Sequence, residues 1–160
     1  MRLGAPTAED TRALGAQLAP LLRAGDLLVL SGDLGAGKTT LTQGLGEGLG
    51  VRGAVTSPTF VISRVHPSLT DGPALVHVDA YRLGLSQDAT LELDDLDLDA
   101  SLEEAVTVVE WGSGVAEVLA PDRLEIEILR AHGDEEGEGR TLDVTTVGPR
   151  WDGVDLTVLG

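Results

Sequence analysis

The chain has 160 residues and a formal net charge of −16, the size of one domain, residues 1–160, with a sizeable buried core. It has no cysteine, which excludes a disulfide framework and thiolate metal sites, and its acid excess disfavours direct contact with a phosphate backbone, which calls for a Lys/Arg footprint. No stretch reaches the length of a membrane span and the first residues lack the apolar core of a signal peptide, so no membrane contact and a cytoplasmic location are expected.

Thr7-Ala8-Glu9-Asp10 resembles a capping box, and Leu14, Leu18, Leu21 and Leu22 follow at helical spacing, so a first helix is predicted from about Ala8 to Ala24, with Gly25 stopping it. Asp26 to Ser31 is a short apolar run suited to a buried parallel strand. Leu41, Leu45 and Leu49 then recur four apart along one face of a second helix. Thr59 to Val65 reads as a strand, and the turn residues of Pro67 to Pro73 join it as a hairpin to Ala74–Asp79. Ala105–Glu110 is a further buried strand. Arg123 to Leu129 alternates as a half-buried strand, Arg140 to Val147 resembles it, and the polar loop Gly133 to Gly139 makes the two a hairpin. Val154 to Leu159 is read as an added edge strand. These elements predict an α/β fold: a central, mostly parallel sheet with helices on both faces and antiparallel strands at the edge.

Between the first predicted strand and the second helix lies Gly32-Asp33-Leu34-Gly35-Ala36-Gly37-Lys38-Thr39, the G-x-x-x-x-G-K-[ST] pattern of a phosphate-binding loop. Lys38 is the only lysine; the other basic side chains are ten arginines. An ammonium point charge threads a tight loop to the β- and γ-phosphates of a nucleotide, where the broader guanidinium fork does not fit. The backbone N–H groups of Gly35, Ala36, Gly37, Lys38 and Thr39 would converge on the phosphates, helped by the positive end of the helix, with Thr39 offering its hydroxyl to Mg²⁺. Asp33, Leu34 and Thr40 complete the candidate binding segment.

A magnesium site also needs a carboxylate, commonly at the C-terminal end of a buried strand. Asp79 and Glu110 both qualify: one would serve the metal and the other could orient an attacking water, and the residues alone leave the two roles unassigned. Three of the four aromatic residues flank these segments: Phe60, Tyr81 and Trp111, with Trp151 apart. His66, His77 and His132 are too scattered along the chain to indicate a metal site. From Asp88 to Glu104 acids alternate with leucines, which fits either a solvated amphipathic face or a docking surface for a basic partner.

Taken together, Gly32 to Thr40, Ser57-Pro58-Thr59-Phe60, His77-Val78-Asp79-Ala80-Tyr81-Arg82 and Glu110-Trp111 resemble the bacterial TsaE family over roughly Thr7 to Leu129. The resemblance implies a small P-loop ATPase that binds and hydrolyses ATP with Mg²⁺ in support of threonylcarbamoylation of adenosine 37 in tRNAs reading ANN codons. It implies association with the two-protein threonylcarbamoyl transferase complex, with tRNA contacted only indirectly. By the same resemblance Thr39 and Glu110 are the metal ligands, Asp79 assists hydrolysis, Ser57, Pro58 and Thr59 lie in a nucleotide-sensitive switch, and Thr11 lies near the adenine. Val78 and Ala80 depart from the residues commoner in the family, but neither change removes a reacting group.

A small-molecule kinase is a rival reading, yet Arg64, Arg82, Arg123 and Arg140 are isolated and form no arginine-rich lid. Guanine recognition by Asn/Thr-Lys-x-Asp is excluded, because the chain has no asparagine and its one lysine belongs to the phosphate loop. A nucleotide-gated scaffold with little turnover is a third reading.

Overall fold

A computed structural model describes residues 1–32, 37–51, 63–70, 72–79, 105–110, 122–130 and 139–159. Among these residues seven strands form one sheet: β1 (Arg2–Ala5), β2 (Leu27–Gly32), β3 (Ser63–His66), β4 (Ala74–Asp79), β5 (Ala105–Glu110), β6 (Arg123–Arg130) and β7 (Arg140–Val147), in the order β1-β7-β6-β2-β5-β4-β3. The central four, β6, β2, β5 and β4, are parallel. β3 pairs antiparallel with β4 at one edge, and β7 and β1 extend the other edge antiparallel. The two expected hairpins are therefore present as β3–β4 and β6–β7.

Helix α1 (Ala8–Leu18) begins with the capping box read from the sequence. The Thr7 hydroxyl accepts from the Asp10 backbone N–H and the Asp10 carboxylate accepts from the Thr7 N–H. It stops earlier than expected. Pro20 has no N–H to continue the ladder, and the chain tightens into a 3₁₀ turn, Ala19–Leu21, before β2. Helix α2 (Lys38–Leu49) runs as predicted and ends at Gly50 in the left-handed conformation.

The two helices pack against each other on one face of the sheet. Leu18, Leu41, Leu45 and Leu49 join Leu28 and Leu30 of β2, Val106 and Val108 of β5, Leu75 of β4 and Leu124, Ile126 and Ile128 of β6 in one core. Glycine sets the helix spacing. A Cβ at Gly44 would lie 1.8 Å from the Arg12 carbonyl oxygen, and one at Gly15 would lie 2.2 Å from that of Leu41. Arg12 and Glu47 close the solvent side of this seam as an ion pair. The opposite sheet face, with Leu27, Val29, Val76, Val78, Thr107 and Val109, is buried too. Residues 80–104 and 111–121, which connect the parallel strands and include the acidic segment Asp88 to Glu104, lie outside the described set, and so does any helical cover of that face.

Two expectations at the ends of the chain are corrected. Val154 to Leu159 is not an edge strand: Leu156–Leu159 is a 3₁₀ turn, and Leu159 enters the core. The strand on that side of the sheet is β1, paired with β7 from Arg2↔Asp143 to Ala5↔Arg140. Its sequence, Arg-Leu-Gly-Ala, is too short and too poor in β-branched residues to announce a strand. The C-terminal segment is held by Arg150, which donates through Nε to Asp26 Oδ1 at 2.8 Å and through Nη2 to Asp26 Oδ2 at 2.9 Å and the Leu21 carbonyl at 3.0 Å.

Candidate functional site

The C-terminal ends of the parallel strands converge on the start of α2, the crevice in which open α/β sheets bind ligands. Register places Glu110 of β5 beside Leu30 of β2 on one side and Asp79 of β4 on the other. Gly32 lies two residues beyond Leu30, with φ at 143°. The strand-to-helix connection that carries the phosphate-loop pattern leaves from there.

Gly37 precedes α2 with φ 113°, a conformation that L side chains rarely adopt, and no side chain caps the helix there. The first-turn N–H groups therefore face the crevice with the positive end of the helix dipole. Lys38 is buried, and its Nζ donates to the Gly32 carbonyl at 2.9 Å, so the side chain reaches back to the end of β2. Thr42 locks this turn by donating its hydroxyl to the Lys38 carbonyl at 2.8 Å.

Thr39 turns toward the strand ends. Its hydroxyl donates to Glu110 Oε1 at 3.4 Å, a long bond that joins α2 to β5. Magnesium binds oxygen at about 2.0–2.1 Å in near-octahedral geometry, so two of its ligands stand ~2.9 Å apart when adjacent and ~4.1 Å apart when opposite. The observed separation lies between these values. A small side-chain adjustment would let both oxygens reach one ion, and an oxygen-only donor pair suits a hard cation.

Other sequence candidates fall around this centre. Thr11 of α1 is 1 % exposed, and its Cγ2 would lie 3.7 Å from a Cβ built on Gly37, so the first helix reaches the phosphate-loop end of the second. Thr40 is half-buried in the first turn of α2. The backbone of Asp79 is in register with Glu110. Asp33, Leu34, Gly35 and Ala36, the switch candidates Ser57, Pro58 and Thr59, and the aromatics Phe60, Tyr81 and Trp111 lie outside the described residues. Trp151 is buried in the core, beneath Arg150, away from this group.

One residue set aside in the sequence belongs to the site. His77 is completely buried in β4, and its Nε2 lies 3.3 Å from Glu110 Oε1. The signal was its position: a polar side chain two residues before Asp79, in a run of Leu75, Val76 and Val78 that is otherwise apolar, must share the sheet face of its alternate neighbours. The relation that matters is the pairing of β4 with β5, not spacing along the chain. Among the described residues no cluster of three or more His, Cys, Asp or Glu forms.

A mixed sheet with a glycine loop leading from a central strand into a helix, and acids at the adjacent strand ends, is the arrangement of a P-loop α/β protein. Residues 5–141 match the family described as Threonylcarbamoyl adenosine biosynthesis protein TsaE, and the chain belongs to that family. Relatives named tRNA threonylcarbamoyladenosine biosynthesis protein TsaE include one from Streptomyces coelicolor, 66 % identical over 92 % of this chain and 98 % of its own. Another, from Bacillus subtilis, is 42 % identical over 90 % of this chain and 84 % of its own. Among solved structures, Bacillus subtilis YdiB superposes with a TM-score of 0.72 at 35 % identity, covering 95 % of this chain and 88 % of that one.

Proposed function

We propose that this protein binds and hydrolyses Mg-ATP in support of threonylcarbamoyl transfer to adenosine 37 of tRNAs reading ANN codons. The observation that carries the reading is the convergence of buried Lys38 and Glu110 with half-buried Thr39 where β2, β5 and α2 meet. Lys38 leaves the Gly32 carbonyl to neutralise the β- and γ-phosphates, while Gly37 lets the backbone approach them. Thr39 and Glu110 would hold Mg²⁺, which when bound offsets charge on the phosphoryl oxygens. Asp79, in register with Glu110, orients the attacking water, and Thr11 lies toward the adenine.

The two-protein transferase complex is the proposed partner, with ATP favouring docking and hydrolysis to ADP releasing it, a two-state switch biased by the γ-phosphate through Ser57 to Thr59. tRNA is reached through that complex, since a chain of net charge −16 offers little to a phosphate backbone. No helix among the described residues is long and apolar enough to cross a membrane, and a cytoplasmic setting accords with tRNA modification.

The deciding experiment measures ATP hydrolysis with and without the transferase pair, alongside tRNA modification supported by Glu110→Ala. Stimulation by the pair and loss of modification in the variant are expected. No stimulation, with modification intact, would replace the ATPase by a nucleotide-gated scaffold, and a phosphorylated small-molecule acceptor would replace it by a kinase.

A further inference from the structure

His77 occupies a position that packing alone does not explain. Its strand neighbours Leu75, Val76 and Val78 are apolar and buried, and the imidazole itself is 0 % exposed. Among the described residues neither ring nitrogen finds an aligned hydrogen-bond partner, although both are shut away from water. A leucine or phenylalanine would fill such a site without burying two polar atoms. What sets the imidazole apart is its direction: Nε2 stands 3.3 Å from Glu110 Oε1, the same oxygen that Thr39 approaches at 3.4 Å from the other element. Neither contact uses Oε2.

We infer that His77 is a positioning residue for Glu110, a buried N–H donor that steadies the carboxylate so that it can serve a divalent cation together with Thr39. The inference rests on the proposed Mg-ATP reading and adds to it the group that orients the ligand. Carboxylates that bind metals are themselves oriented by outer hydrogen bonds, and loss of such a partner weakens metal binding by about 10–100-fold. A neutral imidazole suffices, in the tautomer that carries its proton on Nε2, because the acceptor facing it is a carboxylate. The contact is within reach but unaligned, and a small rotation of Glu110 would align it.

The test compares ATP dissociation constants in Mg²⁺ and in chelator for the wild type, His77→Phe, His77→Leu and His77→Gln, each also in a Glu110→Ala background, with melting temperatures recorded in parallel. Phe and Leu keep the apolar packing and remove the donor; Gln restores an N–H of similar reach. Expected are a Mg-ATP affinity about tenfold weaker in the two apolar variants, unchanged affinity for chelated ATP, substantial recovery in His77→Gln, and no further effect once Glu110 is gone. Equal losses with and without Mg²⁺, a glutamine variant as weak as phenylalanine and leucine, or a loss that persists beside Glu110→Ala would each overturn the role. A wild type that binds chelated ATP as tightly as Mg-ATP would instead overturn the underlying Mg-ATP reading.

Discussion

Lys38 and Thr39 are neighbours in sequence but point to different partners, so the two sides of the site can be tested separately. Lys38 reaches back to Gly32 at the end of β2, whereas Thr39 reaches across to β5. Lys38→Ala should abolish the stabilisation that saturating Mg-ATP confers, about 2.7 kcal/mol at 100 times the dissociation constant; an unchanged melting shift would remove the phosphate-loop role. Thr39→Ala should weaken the response to Mg-ATP more than that to ATP in chelator, and equal losses would take Thr39 off the metal. Both residues were legible in the sequence because the loop pattern fixes residue type and spacing together. From the residues alone Glu110 was legible as one of two strand-end acids, and only the family resemblance separated it from Asp79, since that choice depends on which strand adjoins β2. His77 was not legible as a site residue: its relation to Glu110 crosses from β4 to β5, and local spacing carries no information about that pairing.

The seam between α1 and α2 shows two opposing effects at one glycine. In an isolated helix Gly44→Ala would gain about 1 kcal/mol of propensity, but here the new methyl would lie 1.8 Å from the Arg12 carbonyl oxygen. The obstacle is backbone, so the helices must separate, and overpacking of this kind costs ~1–3 kcal/mol or more. The clash wins, and Gly44→Ala should lower the urea midpoint; a raised midpoint would mean that the helices are not this close. Across the same seam the hydrogen bond from Arg12 holds the Glu47 carboxyl below its ordinary pKa of 4.5. A carboxyl depressed on folding lends stability above its unfolded pKa and loses it as pH falls through the folded value. The melting-temperature advantage of wild type over Glu47→Gln should therefore be present at neutral pH, fade below about pH 4.5, and shrink with added salt because both side chains are about half exposed. An advantage independent of pH would assign the effect to packing. The capping box and the leucine face of α2 were readable from the sequence because they are local patterns; the closeness of the helices was not, because Gly15 and Gly44 declare small size but not what approaches them.

At the scale of the molecule, the site lies at the C-terminal ends of β2, β4 and β5, while the opposite end of the sheet, before β2, is fastened by the segment after β7. Arg150 bonds both oxygens of Asp26, which is 5 % exposed and stands just before β2. Arg150→Met keeps most of the stem but leaves that carboxylate without its cation, and such a break costs about 3–5 kcal/mol. For a chain of this length a drop on the order of 6–20 °C in melting temperature follows, and a change under ~2 °C would show that the pair is dispensable. The clamp was hidden in the sequence by the 124 positions between its partners. The same is true of β1, which no period or turn signal announced and which exists as a strand because β7 is there to receive it. Among the described strands β1 has β7 as its one neighbour, and Arg2 finds Asp143 across 141 positions. Closing so long a loop is entropically costly, and contacts of high sequence separation slow folding. The strand nearest the N-terminus is therefore expected to join the sheet late, with exchange protection at Leu3 rising after that of β2 during refolding, so that chain order and assembly order run in opposite directions at that edge.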